Sequence, residues 1–210
     1  MTEFWNPVYW DNRFRKEREF EWLVSSDCFV EQTKSYIASA KSICNIGCGN
    51  SNLSASIRYS NKSAAIHNLD YSSVAIERSK ELNKDNDNQH FYVVDLLKEE
   101  DVVNALSDAN IDLIADKSTS DSLSTGEDIQ LDGKPTAPAA AMAINLAKVC
   151  KTGTRWVFCS YSPYRLESLA GTCNLWTVTH EWSIIAEESS AESNVHRPEI
   201  RHYFVALERM

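Results

Sequence analysis

Residues 42–51 read Ser42-Ile43-Cys44-Asn45-Ile46-Gly47-Cys48-Gly49-Asn50-Ser51: an apolar run, then two glycines one residue apart, opening into a helix-type segment from Asn50 to Ser60. Glycine lacks a Cβ, so it reaches backbone conformations closed to other residues and lets the main chain approach a bound molecule. A glycine-rich turn from a strand into a helix also turns unpaired N–H groups toward a ligand, an arrangement that serves nucleotides generally.

Working outward, the same alternation recurs. AAIHNL precedes a helix-type segment from Ser72 to Lys84. HFYVV precedes a short one from Glu99 to Ser107. IDLIA precedes an Ala-rich one from Ala137 to Cys150, and RWVFCSY follows the turn KTGT. Short β-type runs alternating with helical periods predict βα units on a parallel sheet. Thr136 is placed to cap the Ala-rich helix, and Gly153 lies just past its end. Gly126 to Pro138, rich in Gly, Asp and Pro, reads as a surface loop, and the polar stretch 187–198 as a turn or loop. HYFVALERM is expected to be a terminal strand, antiparallel at or near the sheet edge.

The chain has 210 residues, 43% of hydrophobic type and 24% charged, which suits one domain over 1–210. Residues 1–40 are read as a helical or lid segment carrying Trp5, Tyr9, Trp10, Phe14, Phe20 and Trp22, and 41–210 as the core. With 21 Lys+Arg against 30 Asp+Glu the net charge is −9, which lacks the positive field of a nucleic-acid binder. No apolar run approaches the roughly 20 residues of a bilayer span, and the charged start is no signal peptide, so no membrane partner and a cytoplasmic location are expected. The six cysteines contain no C-x-x-C pair and read as thiols. His180-Glu181 opens like a zinc helix motif, but Ile184 stands where the second histidine is needed, so no metal site is expected.

Two carboxylates follow the next strands. Asp70 ends the second run, 23 residues after Gly47, where a carboxylate can accept from both hydroxyls of a ribose. Asp95 follows FYVV on the same sheet edge and is placed to hold an adenine amino group. Either aspartate can instead cap the following helix. The dinucleotide pattern G-x-G-x-x-G would need a third glycine at Asn52, which counts against a nicotinamide-dependent oxidoreductase.

NIGCGNS, LDYSSVAIERS and VVDLL resemble the first three motifs of the seven-stranded S-adenosyl-L-methionine-dependent methyltransferases. With YWDNRF near the start and DKSTSDSL later, the chain is similar to the branch that methylates lysines of translation elongation factor 1-alpha. The resemblance implies an α/β, Rossmann-like fold: a seven-stranded, mostly parallel sheet with helices on both faces and one antiparallel strand near the edge. It implies that Gly47, Cys48, Gly49 and Asn50 lie against the cofactor, that Asp70 with Tyr71 serves its ribose, and that Asp95 and Leu96 frame its adenine. Asp116 and Lys117 would stand beside the transferred methyl, Asp116 as the base, while Trp10 and Arg13 fold over the cofactor. Asn45 stands where many such enzymes carry an acidic residue at the methionine end.

Asp116-Lys117-Ser118-Thr119-Ser120-Asp121 replaces the branch's usual Asp-Lys-Gly-Thr-Leu-Asp. The residues themselves also allow an Asp116–Lys117 ion pair and an Asp121 that caps or solvates its turn. The product would be S-adenosyl-L-homocysteine. The acceptor would be a protein, elongation factor 1-alpha above all, or a small molecule, with a cofactor-binding protein lacking catalysis as a further alternative. The acceptor pocket would be built by the N-terminal segment, residues 118–138 and residues 160–172.

Overall fold

The computed structural model describes residues 4–186 and 199–210. The stretch 187–198, read above as a turn or loop, lies outside the described residues.

Three helices come first, α1 (Pro7–Lys16), α2 (Ser26–Gln32) and α3 (Lys34–Ser39). The alternation follows as β1 (Ser42–Ile46), α4 (Leu53–Ser60), β2 (Ala65–Asp70), α5 (Ser73–Leu82), β3 (Gln89–Val93), α6 (Glu99–Leu106), β4 (Leu113–Lys117) and α7 (Thr119–Leu123). A small hairpin, β5 (Ile129–Leu131) and β6 (Lys134–Thr136), precedes α8 (Pro138–Val149) and β7 (Arg155–Ser160). A short 3-10 turn (Arg165–Leu169), β8 (Trp176–Ile185) and β9 (Arg201–Arg209) close the order.

Seven strands form one sheet in the order β3-β2-β1-β4-β7-β9-β8, with β9 antiparallel to both neighbours and the other pairings parallel. β1 is buried along its whole length, and its side chains serve two cores. Cys44 and Ile46 join Trp156, Phe158 and residues of α6 and α8 on one face. Ile43 joins Phe29, Ile37, Ile57 and Phe204, beneath α2, α3 and α4, on the other. The chain runs from β1 outward to β3, then crosses back to lay β4 on the other side of β1. The crevice at the carboxyl ends of β1 and β4 is therefore where a doubly wound sheet receives its ligand.

Several expectations need correcting. Residues 126–138 are not all loop, because Asp132 (φ 50°) and Gly133 (φ 75°) both take the left-handed conformation that a two-residue hairpin turn requires. Thr136 belongs to β6 and donates to the Lys134 carbonyl; α8 instead opens through Pro138, with no side-chain cap. α4 starts at Leu53 rather than Asn50, since residues 47–52 are spent in the turn. β8, the edge strand, had no counterpart in the sequence pattern, whereas the terminal strand β9 is antiparallel and lies one place inside that edge, as expected. None of the six cysteines is in a disulfide, and no described helix is long and apolar enough to cross a membrane.

Candidate active site

The turn after β1 is built on two left-handed glycines, Gly47 (φ +56°) and Gly49 (φ +53°). A Cβ on Gly47 would stand 2.2 Å from Thr119 Oγ1, and one on Gly49 would stand 3.2 Å from Phe14 Cζ. The first glycine thus admits α7 and the second admits α1. Thr119 uses the space to donate to the Ile46 carbonyl at 2.9 Å.

Asp70 ties this turn to the next helix: one carboxylate oxygen accepts from Gly49 N and the other from Ser72 N, both at 2.8 Å. Burial pushes its pKa up to about 6, and nearby Asp11 adds to the rise, although the two N–H donors pull it down. Each oxygen keeps a second acceptor position for a ligand hydroxyl.

Over this turn lies a cavity of about 710 Å³ at the carboxyl ends of β1 to β4. Gly47, Cys48, Gly49, Asp70 and Tyr71 line one side, with Asp95 and Leu96 beyond them. Asp95 accepts from Leu97 N at 3.0 Å and pairs with Lys98 at 3.5 Å. Trp5, Trp10, Phe14, Phe20 and Trp22 form an aromatic wall, and Asp101, Glu127 and Asp128 add carboxylates. Asn45 and Asn50 also line the cavity, each 1% exposed, and each has an amide oxygen with no hydrogen-bond partner. Their amino groups are already spent, on Asn68 Oδ1 at 3.0 Å and on the Glu17 carbonyl at 2.7 Å. A buried acceptor left unmade is costly. Two of them on one cavity fit a ligand that brings a cationic N–H donor, and with Asp70 available for a ribose the residues suit S-adenosyl-L-methionine.

Other expected residues sit elsewhere. Asp116 is fully buried and off the cavity lining; it accepts from Thr119 N at 2.8 Å and from the Ser120 amide and hydroxyl, capping α7. Burial pushes its pKa up to about 6. Lys117 does line the cavity, but its partner is Glu21 at 2.6 Å rather than Asp116. Arg13 is off the lining as well: it bonds Tyr9 Oη at 2.8 Å, pairs with Glu17 at 3.1 Å and lies over the Phe20 ring. Asp121 neither caps nor meets solvent; it is fully buried, paired with Arg165 at 2.6 Å and accepting from Ser160 and Tyr161 N. Residues 160–172 contribute nothing to the lining.

Sequence reading missed a strap, residues 17–22, that closes the aromatic wall. Asn50 and Arg78 donate to the Glu17 carbonyl, Asn52 N donates to Glu21 at 3.3 Å, and Lys117 Nζ reaches the Trp22 carbonyl at 3.4 Å. Ser118 also turns toward Trp22, held at φ +80°, a conformation that favours glycine.

Comparison with known proteins adds the following. The family described as Methyltransferase domain matches residues 37–197. Methyltransferase srdJ of Neurospora crassa is 28% identical over 214 residues, covering 99% of this chain and 84% of that protein. The eEF1A lysine and N-terminal methyltransferase of Homo sapiens is 29% identical over 158 residues, 74% of this chain. That of Xenopus laevis is 31% identical over 129 residues, 60% of this chain. The matches cover only 21% and 18% of those two proteins. The structure of the N-methyltransferase NodS from Bradyrhizobium japonicum with S-adenosyl-L-homocysteine superposes with a TM-score of 0.62 at 14% identity, covering 95% of this chain and 98% of that one. Its fold is the one described above.

Proposed function

Since the chain belongs to the methyltransferase-domain family and is an S-adenosyl-L-methionine-dependent methyltransferase, we propose that it methylates the amine of a protein lysine, with translation elongation factor 1-alpha as acceptor. The observation that carries this reading is the aromatic wall of Trp5, Trp10, Phe14, Phe20 and Trp22 joined on the cavity lining by Asp101, Glu127 and Asp128. Aromatic faces and carboxylates together favour a long cationic side chain. The likeness to the eEF1A lysine and N-terminal methyltransferases supports the same acceptor.

The cofactor, when bound, supplies a methyl group on a sulfonium. The chain supplies alignment and a site with little water. In this reading Asn45 and Asn50 accept from the cofactor's ammonium, Asp70 with Tyr71 serves the ribose, and Asp95 and Leu96 flank the adenine. The main chain of Gly47, Cys48 and Gly49 allows the close approach. Lys117 stands at the acceptor side and holds the strap, and Trp10 covers the cofactor. Asp116 and Arg13, off the lining, act as positioning residues, the first holding the β4–α7 corner and the second the strap. The acceptor amine gives its proton up to water before it attacks, and a site poor in water then favours the neutral form that remains.

A small-molecule acceptor is the second reading, favoured by a cavity volume inside the range of small-molecule sites and by its apolar walls. The two separate in one assay. Radiolabelled cofactor is incubated with unmethylated elongation factor 1-alpha, and the labelled peptides are sequenced by mass spectrometry. Label on a lysine peptide is the expected result. A blank on the factor, with label passing into a small-molecule extract, would overturn the protein-lysine reading.

A further inference from the structure

We infer that Asn68, which touches no ligand site itself, is a positioning residue that makes Asn45 an acceptor toward the cavity and so selects a cofactor bearing an ammonium group. The inference rests on the proposed placement of that amine at Asn45.

Asn68 is fully buried on β2, in register with Asn45 on β1. An asparagine side chain has an accepting end and a donating end, and which faces which way is set by its neighbours. The amino group of Asn68 faces the backbone carbonyl of His90 at 3.4 Å and the side-chain oxygen of Gln89 at 3.2 Å. Because a carbonyl only accepts, the amino end of Asn68 must point there and its oxygen must point to β1. Asn45 meets that oxygen with its own amino group at 3.0 Å, which leaves the Asn45 oxygen buried and without a partner on a residue that lines the cavity. Reversing Asn45 would set two carbonyl oxygens face to face.

The Gln89 end is anchored in the same sense. Its oxygen also accepts from Ser54, and its amino group donates to Asn83 at 3.4 Å. Asn83 in turn donates to the Ser79 carbonyl at 2.9 Å. Two backbone carbonyls, neither able to change role, therefore fix one direction along a chain of amides that ends at the cavity. In the opposite direction Asn45 would offer N–H donors and favour a carboxylate over an ammonium.

The test compares binding of S-adenosyl-L-homocysteine, which has the amino-acid end, with binding of methylthioadenosine, which lacks it, by calorimetry on the wild type and Asn68→Leu. The expected result is about a tenfold loss of affinity for the first ligand and none for the second. Adding Asn45→Leu to Asn68→Leu should then weaken S-adenosyl-L-homocysteine no further. Equal loss for both ligands would reduce Asn68 to a fold-supporting residue, and no loss for either would show that Asn45 keeps its direction unaided; each overturns the inference. A wild type that binds both ligands equally would overturn the amine's placement at Asn45, and the relay with it, before any substitution is made. Should Asn68→Leu fail to fold, Asn68→Ala is read by the same affinity ratio, which is insensitive to the folded fraction.

Discussion

Asp70 does two things with one carboxylate: it knits the glycine turn to α5 through Gly49 N and Ser72 N, and it faces the cavity. Burial raises its pKa to about 6, so the ionised form that best accepts two ribose hydroxyls is lost within reach of ordinary buffers. Affinity for S-adenosyl-L-homocysteine is expected to fall below pH 6, approaching tenfold per pH unit, and Asp70→Asn should flatten that slope while binding more weakly at pH 7.5. Calorimetry across pH 5 to 8 checks it, and a slope that survives the substitution would point to another group. Stability runs the other way. A carboxyl whose pKa is raised on folding binds its proton more readily in the native state, so Asp70 and Asp116 make the free protein more stable as pH falls from about 6 toward 4. At this scale Asp70 was legible because it ends an apolar run, whereas Asn68 was not, since its meaning needs the register of three strands. Ser118 was visible as a substitution for glycine, but only the structure gives its left-handed conformation, worth about 1–2 kcal/mol of strain.

Among the elements, the strap between α1 and α2 is neither helix nor strand and is tied down by side chains, some of them, Asn50 and Lys117, from the cavity lining. Lys117 is the charged tie from β4, with a side chain 5% exposed, paired to Glu21 and bonded to the Trp22 carbonyl. Lys117→Met keeps the bulk and removes both contacts. Loss of a buried charged hydrogen bond costs about 1.5–3 kcal/mol, so S-adenosyl-L-homocysteine should dissociate at least tenfold faster and amides of residues 17–22 should exchange faster. Stopped-flow release and hydrogen exchange read the two effects, and an unchanged release rate would mean the strap does not gate the cavity. No sequence pattern links Lys117 to Glu21, because the strap meets β4 only in the folded chain. β8 escaped for a different reason: as an edge strand it is exposed on both faces over residues 177–181, after the buried Trp176, so the alternation that marks a half-buried strand is missing. β5 and β6 are too short to show a period at all, although their Asp-Gly turn was in plain view.

For the molecule as a whole, the sheet order leaves one crevice at the crossover between β1 and β4. The glycine turn, Asp70, Asp95 and Lys117 all reach its lining from the carboxyl ends of four different strands. A ligand seated there holds β1, β2, β3, β4 and the strap together and has nothing comparable to bind in the unfolded chain. Its binding energy must then appear as folding stability: at a concentration a hundred times its Kd, S-adenosyl-L-homocysteine should add about 2.7 kcal/mol. For a chain of this size each kcal/mol moves Tm by about 2–4 °C, so a rise of about 5–11 °C is expected in a thermal melt. NADH at the same concentration should leave Tm where it is, because Asn52 stands in place of the third glycine by which a dinucleotide turn packs its helix close to the sheet. A shift with NADH and none with S-adenosyl-L-homocysteine would mean that the unpaired oxygens of Asn45 and Asn50 serve a different donor from the one inferred.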